Sequence, residues 1–484
     1  GGSTVDFVAS GTLPNGKPVI LKSDGTVEVV AQAGTAQSIP AGSEYVFNSG
    51  STDYISMAFD PNSANKFVVA YQDSSNSNYG TAIVGTVSGT SISFGSEYVF
   101  NNWAPPSLTQ WCTLSFDPNT SGKFVITYQD QYNTSNTVVG TVSGTTLSFG
   151  AEYAYGGTNG NGSNWVSFDP NTANKFVITY RGSSGYGTAI VGTVSGTTIS
   201  YGSPYIFTSS NTVLPSTAFD PNTAGKFVVA YTDYGNSNYS TAIVGTVSGT
   251  TLSFGTSVPL ESAVGYSQSC AFDPTTTGRF VVAYSDNASV SKAIIGTLSG
   301  TSVSFGTSAV FESAVTYNIS CAFDPNTSGK LVITYRDAGN SSYGTAIVGS
   351  VSGNSISYES AAVFNSATTT YKSASFDPNT AGKFLVAYRD SGNSNYGTVI
   401  IGQISTTTTN LTSTNFVGTS TAAYTNGQTA TIAVQGGLST NQTGLTIGST
   451  YFVQPTGTLA TTAGTPSVNA GKALSATTLL LKDL

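Results

Sequence analysis

The chain has 484 residues, enough for one large core or several domains, and its 16 basic and 24 acidic side chains give a net charge of −8. No run of Lys or Arg offers the footprint that nucleic acid or an anionic membrane surface requires. No stretch approaches the roughly 18–20 apolar residues that cross a bilayer. With 54 Gly, 27 Tyr, 25 Phe and only 8% charged residues, the chain is poor in helix formers and rich in aromatic, β-branched and turn residues, so an all-β fold is expected.

In chain order, residues 1–35 hold the apolar runs VDFVASGTL, KPVILKS and TVEVVAQ, separated by Pro-Asn-Gly and Ser-Asp-Gly, a pattern that predicts two hairpin turns. A repeat follows. The triplet Phe-Asp-Pro occurs seven times, at Phe59, Phe116, Phe168, Phe219, Phe272, Phe323 and Phe376, in steps of 57, 52, 51, 53, 51 and 53 residues. Each unit reads like YISMAFDP, KFVVAYQD, TAIVGTVSG and SISFGSEYVF, four short apolar or alternating runs bounded by turn residues. Four strands per unit of about 50 residues match the blades of a propeller, with a solenoid as the rival.

The ends of the array discriminate between them. SIPAGSEYVF (Ser38–Phe47) copies the fourth-strand run SISFGSEYVF (Ser91–Phe100), whereas after VIIGQIS (Val399–Ser405) the last unit has only a Thr-rich stretch where its fourth strand is due. The predicted fold is therefore all-β: a seven-bladed β-propeller with four-stranded blades over 36–411, closed by the strand 38–47. An N-terminal hairpin segment (1–35) and a C-terminal β-rich segment (412–484) flank it and are expected to form one small domain or contacts between subunits.

The turns fit hairpin chemistry. In Asp60-Pro61-Asn62-Ser63-Ala64-Asn65-Lys66 the Asp bonds the backbone two residues on, Pro presets φ, and Asn65 takes the left-handed region, while Gly89 does so in Val87-Ser88-Gly89-Thr90. The loop from Asp73 to Gly80 resembles an Asp-box hairpin but lacks that motif's Trp and spacing.

Chemistry is scarce. The chain has no His, which removes Ser-His-Asp and Cys-His catalysis and His-containing zinc sites. Cys112, Cys270 and Cys321 are too few and too scattered for a disulfide framework or a thiolate metal site, and read as small buried hydrophobes. The acidic residues are mostly periodic: the Asp of each Phe-Asp-Pro, and Asp73, Asp130, Asp233, Asp286, Asp337 and Asp390 at the end of the second strand. A catalytic carboxylate pair is singular, so no enzyme activity, metal or cofactor is expected. Arg181, Arg336 and Arg389 share one repeat position and read as solvated strand ends rather than a carboxylate cradle.

The connection from each fourth strand into the next unit is the most variable part of the repeat. It carries Trp103, Trp111 and Trp165, together with Tyr54, Tyr266, Tyr317 and Tyr371 at similar distances before Phe-Asp-Pro. These seven are the candidate ligand-binding residues, an aromatic ring at one mouth of the channel able to stack on sugars or bury an apolar patch of a partner. The bland alternative is packing between blades.

The end segments ASGTLPNGKPVILKSDGTVEVV, AAYTNGQTATIAVQGGLSTNQTGLTIGSTYFVQPTGTL and GKALSATTLLL resemble segments of virion structural and tail-fibre-like proteins of marine tailed bacteriophages, over about a hundred residues outside the repeat. The resemblance implies a particle-surface or host-recognition role and carries over no catalytic residue. The expected function is thus a non-enzymatic virion surface component, tail-fibre or capsid-associated, attaching through a propeller face to a host-surface glycan or protein. Its end segments would bind other virion proteins or self-associate, and its location would be the virion surface or extracellular. The alternatives are a secreted or cell-surface bacterial adhesin or lectin and, behind it, a carbohydrate-active propeller enzyme. Neither nucleic acid nor membrane insertion is expected.

Overall fold

The computed structural model describes residues 3–101, 108–156, 163–286 and 290–482, among which there are strands and turns and no helix. The chain divides into two compact units, Gln37–Ile404 and the pair of end segments Gly1–Ala36 and Ser405–Leu484.

In the larger unit one pattern repeats. Tyr45–Phe59 pairs antiparallel with Lys66–Asp73, which pairs with Tyr79–Ser88, which pairs with Ser91–Asn101. The first strands of successive repeats, ending at the seven Phe residues of Phe-Asp-Pro, touch in cyclic order, and the last, Ala362–Phe376, touches the first, Tyr45–Phe59. The ring is closed by the amino-terminal copy. Val399, Thr398, Gly397 and Tyr396 in the third strand of the last repeat lie opposite Tyr45, Val46, Asn48 and Ser51, and Ser38 bridges to Gln403. Glu44 accepts a hydrogen bond of 2.7 Å from the Tyr388 hydroxyl, and the buried Phe47 ring fills the space a side chain at Gly397 would need.

Four of the variable connections are extended throughout: Tyr45–Phe59, Tyr205–Phe219, Val258–Phe272 and Ala362–Phe376 are single strands. The reason is pairing at both ends. The front half of each adds to the third strand of one repeat and the back half to the second strand of the next, with a shift of register where it changes partner.

Neighbouring repeats are tied by side chains that sequence periodicity alone reads as solvent-facing. Ser56, Ser216, Ser269, Ser320 and Ser373, each three residues before the Phe, accept from the backbone N–H of Leu114, Cys270, Cys321, Ala374 and Met57 at 3.0–3.1 Å. In all seven Phe-Asp-Pro turns the Asp Oδ1 accepts from the N–H two residues on, at 2.8–3.0 Å. The following Asn then reaches across: the amides of Asn62, Asn119, Asn171, Asn222 and Asn326 donate to the Pro carbonyl of the next repeat at 3.1–3.3 Å. The expected left-handed residue is present in every one of these turns, from Asn65 (φ 62°) to Gly382 (φ 73°). The three cysteines are free and buried.

Within each repeat the second strand carries the core. Tyr71, Tyr128, Tyr231, Tyr284, Tyr335 and Tyr388, with Phe67, Phe124, Phe176, Phe227, Phe280 and Phe384, are the largest fully enclosed side chains. The Phe rings lie over glycines of the third strand; a Cβ on Gly245 would sit 2.1 Å from the Phe227 ring, so Gly is required there for packing rather than for a turn.

The smaller unit holds two five-stranded sheets, Thr4–Val8, Thr429–Ala433, Phe416–Ser420, Pro18–Leu21 and Val27–Val29 in one, and Leu438–Ser439, Leu479–Leu481, Val468–Ala473, Thr450–Val453 and Leu459–Ala460 in the other, with a two-stranded pair of Gln32–Thr35 and Thr406–Thr409 beside them in sequence. Ile20, Val30, Phe416, Val453 and Leu479 share one core. Of the two hairpins predicted for residues 1–35, only that between Pro18–Leu21 and Val27–Val29 forms. Thr4–Val8 pairs with Thr429–Ala433 instead, since that distant strand offers it a ladder over its full length.

Two predictions follow from ring closure and the tyrosine core. Replacing Phe47 by Ala removes a buried ring and costs about 3–5 kcal/mol; hydrogen exchange should accelerate jointly in 45–51 and 396–403, far more than elsewhere in the ring. Burial holds the hydroxyls of Tyr71, Tyr128, Tyr180, Tyr231, Tyr284, Tyr335 and Tyr388 above the ordinary tyrosine value, that of Tyr180 at about 12. Because the folded values are raised, the stability they contribute is complete below about pH 10, where free tyrosine begins to ionise, and is lost as pH climbs past it through 12. Urea midpoints should be level from pH 7 to 9 and fall steeply by pH 11.

Candidate binding site at the inner rim

About five residues before the Phe in six of the repeats, the first strand carries an extra residue in its pairing with the second, as between Asp53 and Ser56 or Thr370 and Ser373, whereas Asn164–Phe168 pairs without a shift. The bulged residue adopts a left-handed backbone although it is not glycine: φ is 49° at Tyr54, 53° at Trp111, 54° at Ser267, 51° at Asn318 and 48° at Tyr371. Bulges re-aim side chains, and such backbone outliers concentrate at functional positions.

The consequence is a one-sided aromatic platform. Tyr371, Tyr54 and Trp111 come from three consecutive repeats across the closure, with ring centroids 5.0 Å apart for the tyrosine pair and 5.4 Å for Tyr54 and Trp111. With them, Ser163, Ser267 and Asn318 line a pocket of ≈360 Å3, within the range of about 300–1,000 Å3 usual for small-ligand sites. Trp165 also lines it. It stands at the position that is Ser in five other repeats, so it replaces one of the inter-repeat serines and projects an indole into the opening.

Polar groups surround the platform. Gln110 donates to the Tyr54 hydroxyl at 3.3 Å, and burial pushes that hydroxyl up to about 12. Asn164 and Gln268, from the next position of the strand, complete the wall. Lys372 occupies the same position in the last repeat. It is buried, its ammonium donates to the backbone carbonyls of Tyr317 at 3.2 Å and of Asn318, and burial, with Arg336 nearby, holds its pKa well below the ordinary lysine value.

The seven candidate residues therefore separate. Tyr54, Trp111, Trp165 and Tyr371 converge on one pocket. Tyr266 and Tyr317 lie one residue earlier than Tyr54 and Tyr371 in their repeats and do not line it; Tyr317 lies in an adjoining pocket, under the guanidinium of Arg336 at 4.4 Å. Trp103 lies outside the described residues. Sequence reading missed Lys372, whose signal was a single Lys at a position otherwise filled by Ile55, Cys112, Asn164, Pro215, Gln268 and Ile319.

The carboxylates at the ends of the second strands bond their own turns. Asp73, Asp130, Asp233, Asp337 and Asp390 accept from backbone N–H groups two residues on at 2.9–3.0 Å. Among the described residues no cluster of three or more His, Cys, Asp or Glu is placed to hold a metal ion.

No family model matches the chain, and no curated protein does. Solved structures do. A chain of the mitotic checkpoint complex is 9% identical over 76% of this chain and 96% of its own, with a TM-score of 0.50. This chain is a β-propeller. Sqt1 from Chaetomium thermophilum, bound to the N-terminus of a ribosomal protein, is 13% identical over 74% of this propeller chain and 89% of its own, at a TM-score of 0.47. The Aleuria aurantia lectin in complex with Fucα1-6GlcNAc is 12% identical over 65% and 96%, at 0.42. Identities this low bear on the fold alone.

Proposed function

We propose that the chain is a seven-bladed propeller with four-stranded blades that binds a glycan at its inner rim and performs no chemistry on it. The observation that carries this reading is the Tyr371–Tyr54–Trp111 platform, held on strained bulges in a pocket that Asn164, Gln268 and Asn318 also line. Aromatic faces stack on the C–H side of a sugar while amides and hydroxyls satisfy its hydroxyl groups. Against turnover stand the absence of His from the sequence and the engagement of the periodic Asp residues in their own turns.

The resemblance of the end segments to tail-fibre-like proteins of marine tailed bacteriophages supports a place on a virion surface. There the sheets of the smaller unit would engage other virion proteins or further copies of the chain, leaving the propeller rim for the host. A bacterial adhesin or lectin would use the same rim, and mass spectrometry of purified phage particles separates the two: the virion reading requires the chain to be a stoichiometric particle component.

The rim itself is tested by calorimetric titration with ligands found on a glycan array. Trp111→Ala and Tyr54→Ala should each weaken binding by at least about fivefold, as loss of a stacking face costs roughly 1–3 kcal/mol, while Tyr266→Ala should change it less than about twofold. Equal effects of all three, or release of sugar fragments during incubation, would defeat the proposal.

A further inference from the structure

Beside the aromatic platform is a second pocket of ≈360 Å3, bounded by Tyr317, Arg336, Thr370, Tyr371 and Arg389 and sharing Tyr371, Ser267 and Asn318 with the first. Its two arginines occupy the same repeat position but have unlike surroundings. Arg389 is neutralised: its Nη1 pairs with Asp53, six residues before the Phe of the next repeat, and its Nε donates to Asn395 at 3.1 Å. For Arg336 the corresponding residue of the next repeat is Thr370, which carries no charge.

Arg336 is accordingly left without an ion pair among the described residues, and its buried Nε has no hydrogen-bond partner; the buried Thr370 Oγ1 has none either. Both line the same pocket. Arg336 and Thr370, each with an unsatisfied buried polar atom, thus line one opening in a protein of net charge −8. The guanidinium carbon sits over the Tyr317 ring, and the planar fork of a guanidinium suits two oxygens of an anion. Buried polar groups without partners are rare, and a ligand is one of the things that supplies them.

We propose that Arg336 and Thr370 form an anion subsite adjoining the platform, so that the ligand is an acidic glycan whose carboxylate or sulfate ester lodges there while a neighbouring ring stacks on Tyr371. The subsite rests on the glycan reading of the rim and specifies its ligand class. Thr370→Asp is the informative change, because it gives Arg336 the carboxylate that Asp53 gives Arg389 and leaves the stack on Tyr317 in place.

Calorimetric titration of the full chain with tetragalacturonate, its neutral methyl ester and a sulfated galactan tetrasaccharide tests this. The wild type should bind at least one of the two anionic probes about tenfold or more tighter than the ester, with the preference shrinking at high salt; which probe wins identifies the anion. Thr370→Asp and Arg336→Gln should erase the preference while leaving the ester's affinity within about twofold. Equal wild-type affinity for all three probes, or equal loss for all three in both variants, overturns the subsite; if Trp111→Ala still weakens the ester, the glycan reading survives that result. Failure of the wild type to bind any of the three overturns the subsite and counts against the glycan reading as well.

Discussion

The structure depends on an unpaired sheet edge at the carboxyl end of the repeat array being covered by a strand from its amino end. The third strand of the last repeat, Tyr396–Gln403, would expose its outer ladder to water and to other chains, and Tyr45–Ser51 completes it. Because the same strand continues to Phe59 as the innermost strand of the first repeat, closure fixes two sheets at once. The inter-repeat bonds then become cyclic: Ser373 receives the Met57 N–H as Ser320 receives that of Ala374, and Lys383 donates to the Gly89 carbonyl at 3.2 Å as Lys123 does to that of Gly196 at 3.0 Å.

The candidate site inherits its position from that join. Tyr371 belongs to the last repeat and Tyr54 to the first, so their ring contact crosses the closure, as does the pairing of Arg389 with Asp53. An open array would separate the halves of the platform. Aromatics on consecutive repeats and small or amide side chains on the others make the lining of the pocket lopsided. Repetition supplies the scaffold, and departures from it supply the site: Trp165 where other repeats have Ser, Lys372 where they have neutral residues, Thr370 where Asp53 would neutralise an arginine.

Much of the fold was legible because its signals are local. Phe-Asp-Pro-Asn, the Gly of the third-to-fourth-strand turn and the copied SEYVF all act within a few residues, so spacing alone located strands, turns and the closing segment. The contacts between repeats were not legible in the same way. Asn62 looks like a turn residue until the Pro118 carbonyl is beside it, and Ser56 looks like an exposed strand position until Leu114 donates to it. The site residues were readable by type and only partly by position. Tyr54 and Tyr266 differ by one place relative to their Phe, and the bulge that turns one to the pocket leaves the other beside it. The solitary state of Arg336 involves a residue of the next repeat, and the partner of Thr4–Val8 lies more than 400 residues away; no local pattern encodes either.

The account is tested most directly by joining the two ends of the ring covalently. Val46 and Thr398 are directly opposed across the closing ladder, at a separation that suits a disulfide, and the native cysteines are buried. In the Val46→Cys, Thr398→Cys double variant, mild oxidation should form an intramolecular bridge in nearly all molecules, seen as a compact band on non-reducing denaturing gels and as the linked peptide by mass spectrometry. Persistently free thiols at both positions in the folded protein, or bridges formed only between molecules, would contradict the closed ring.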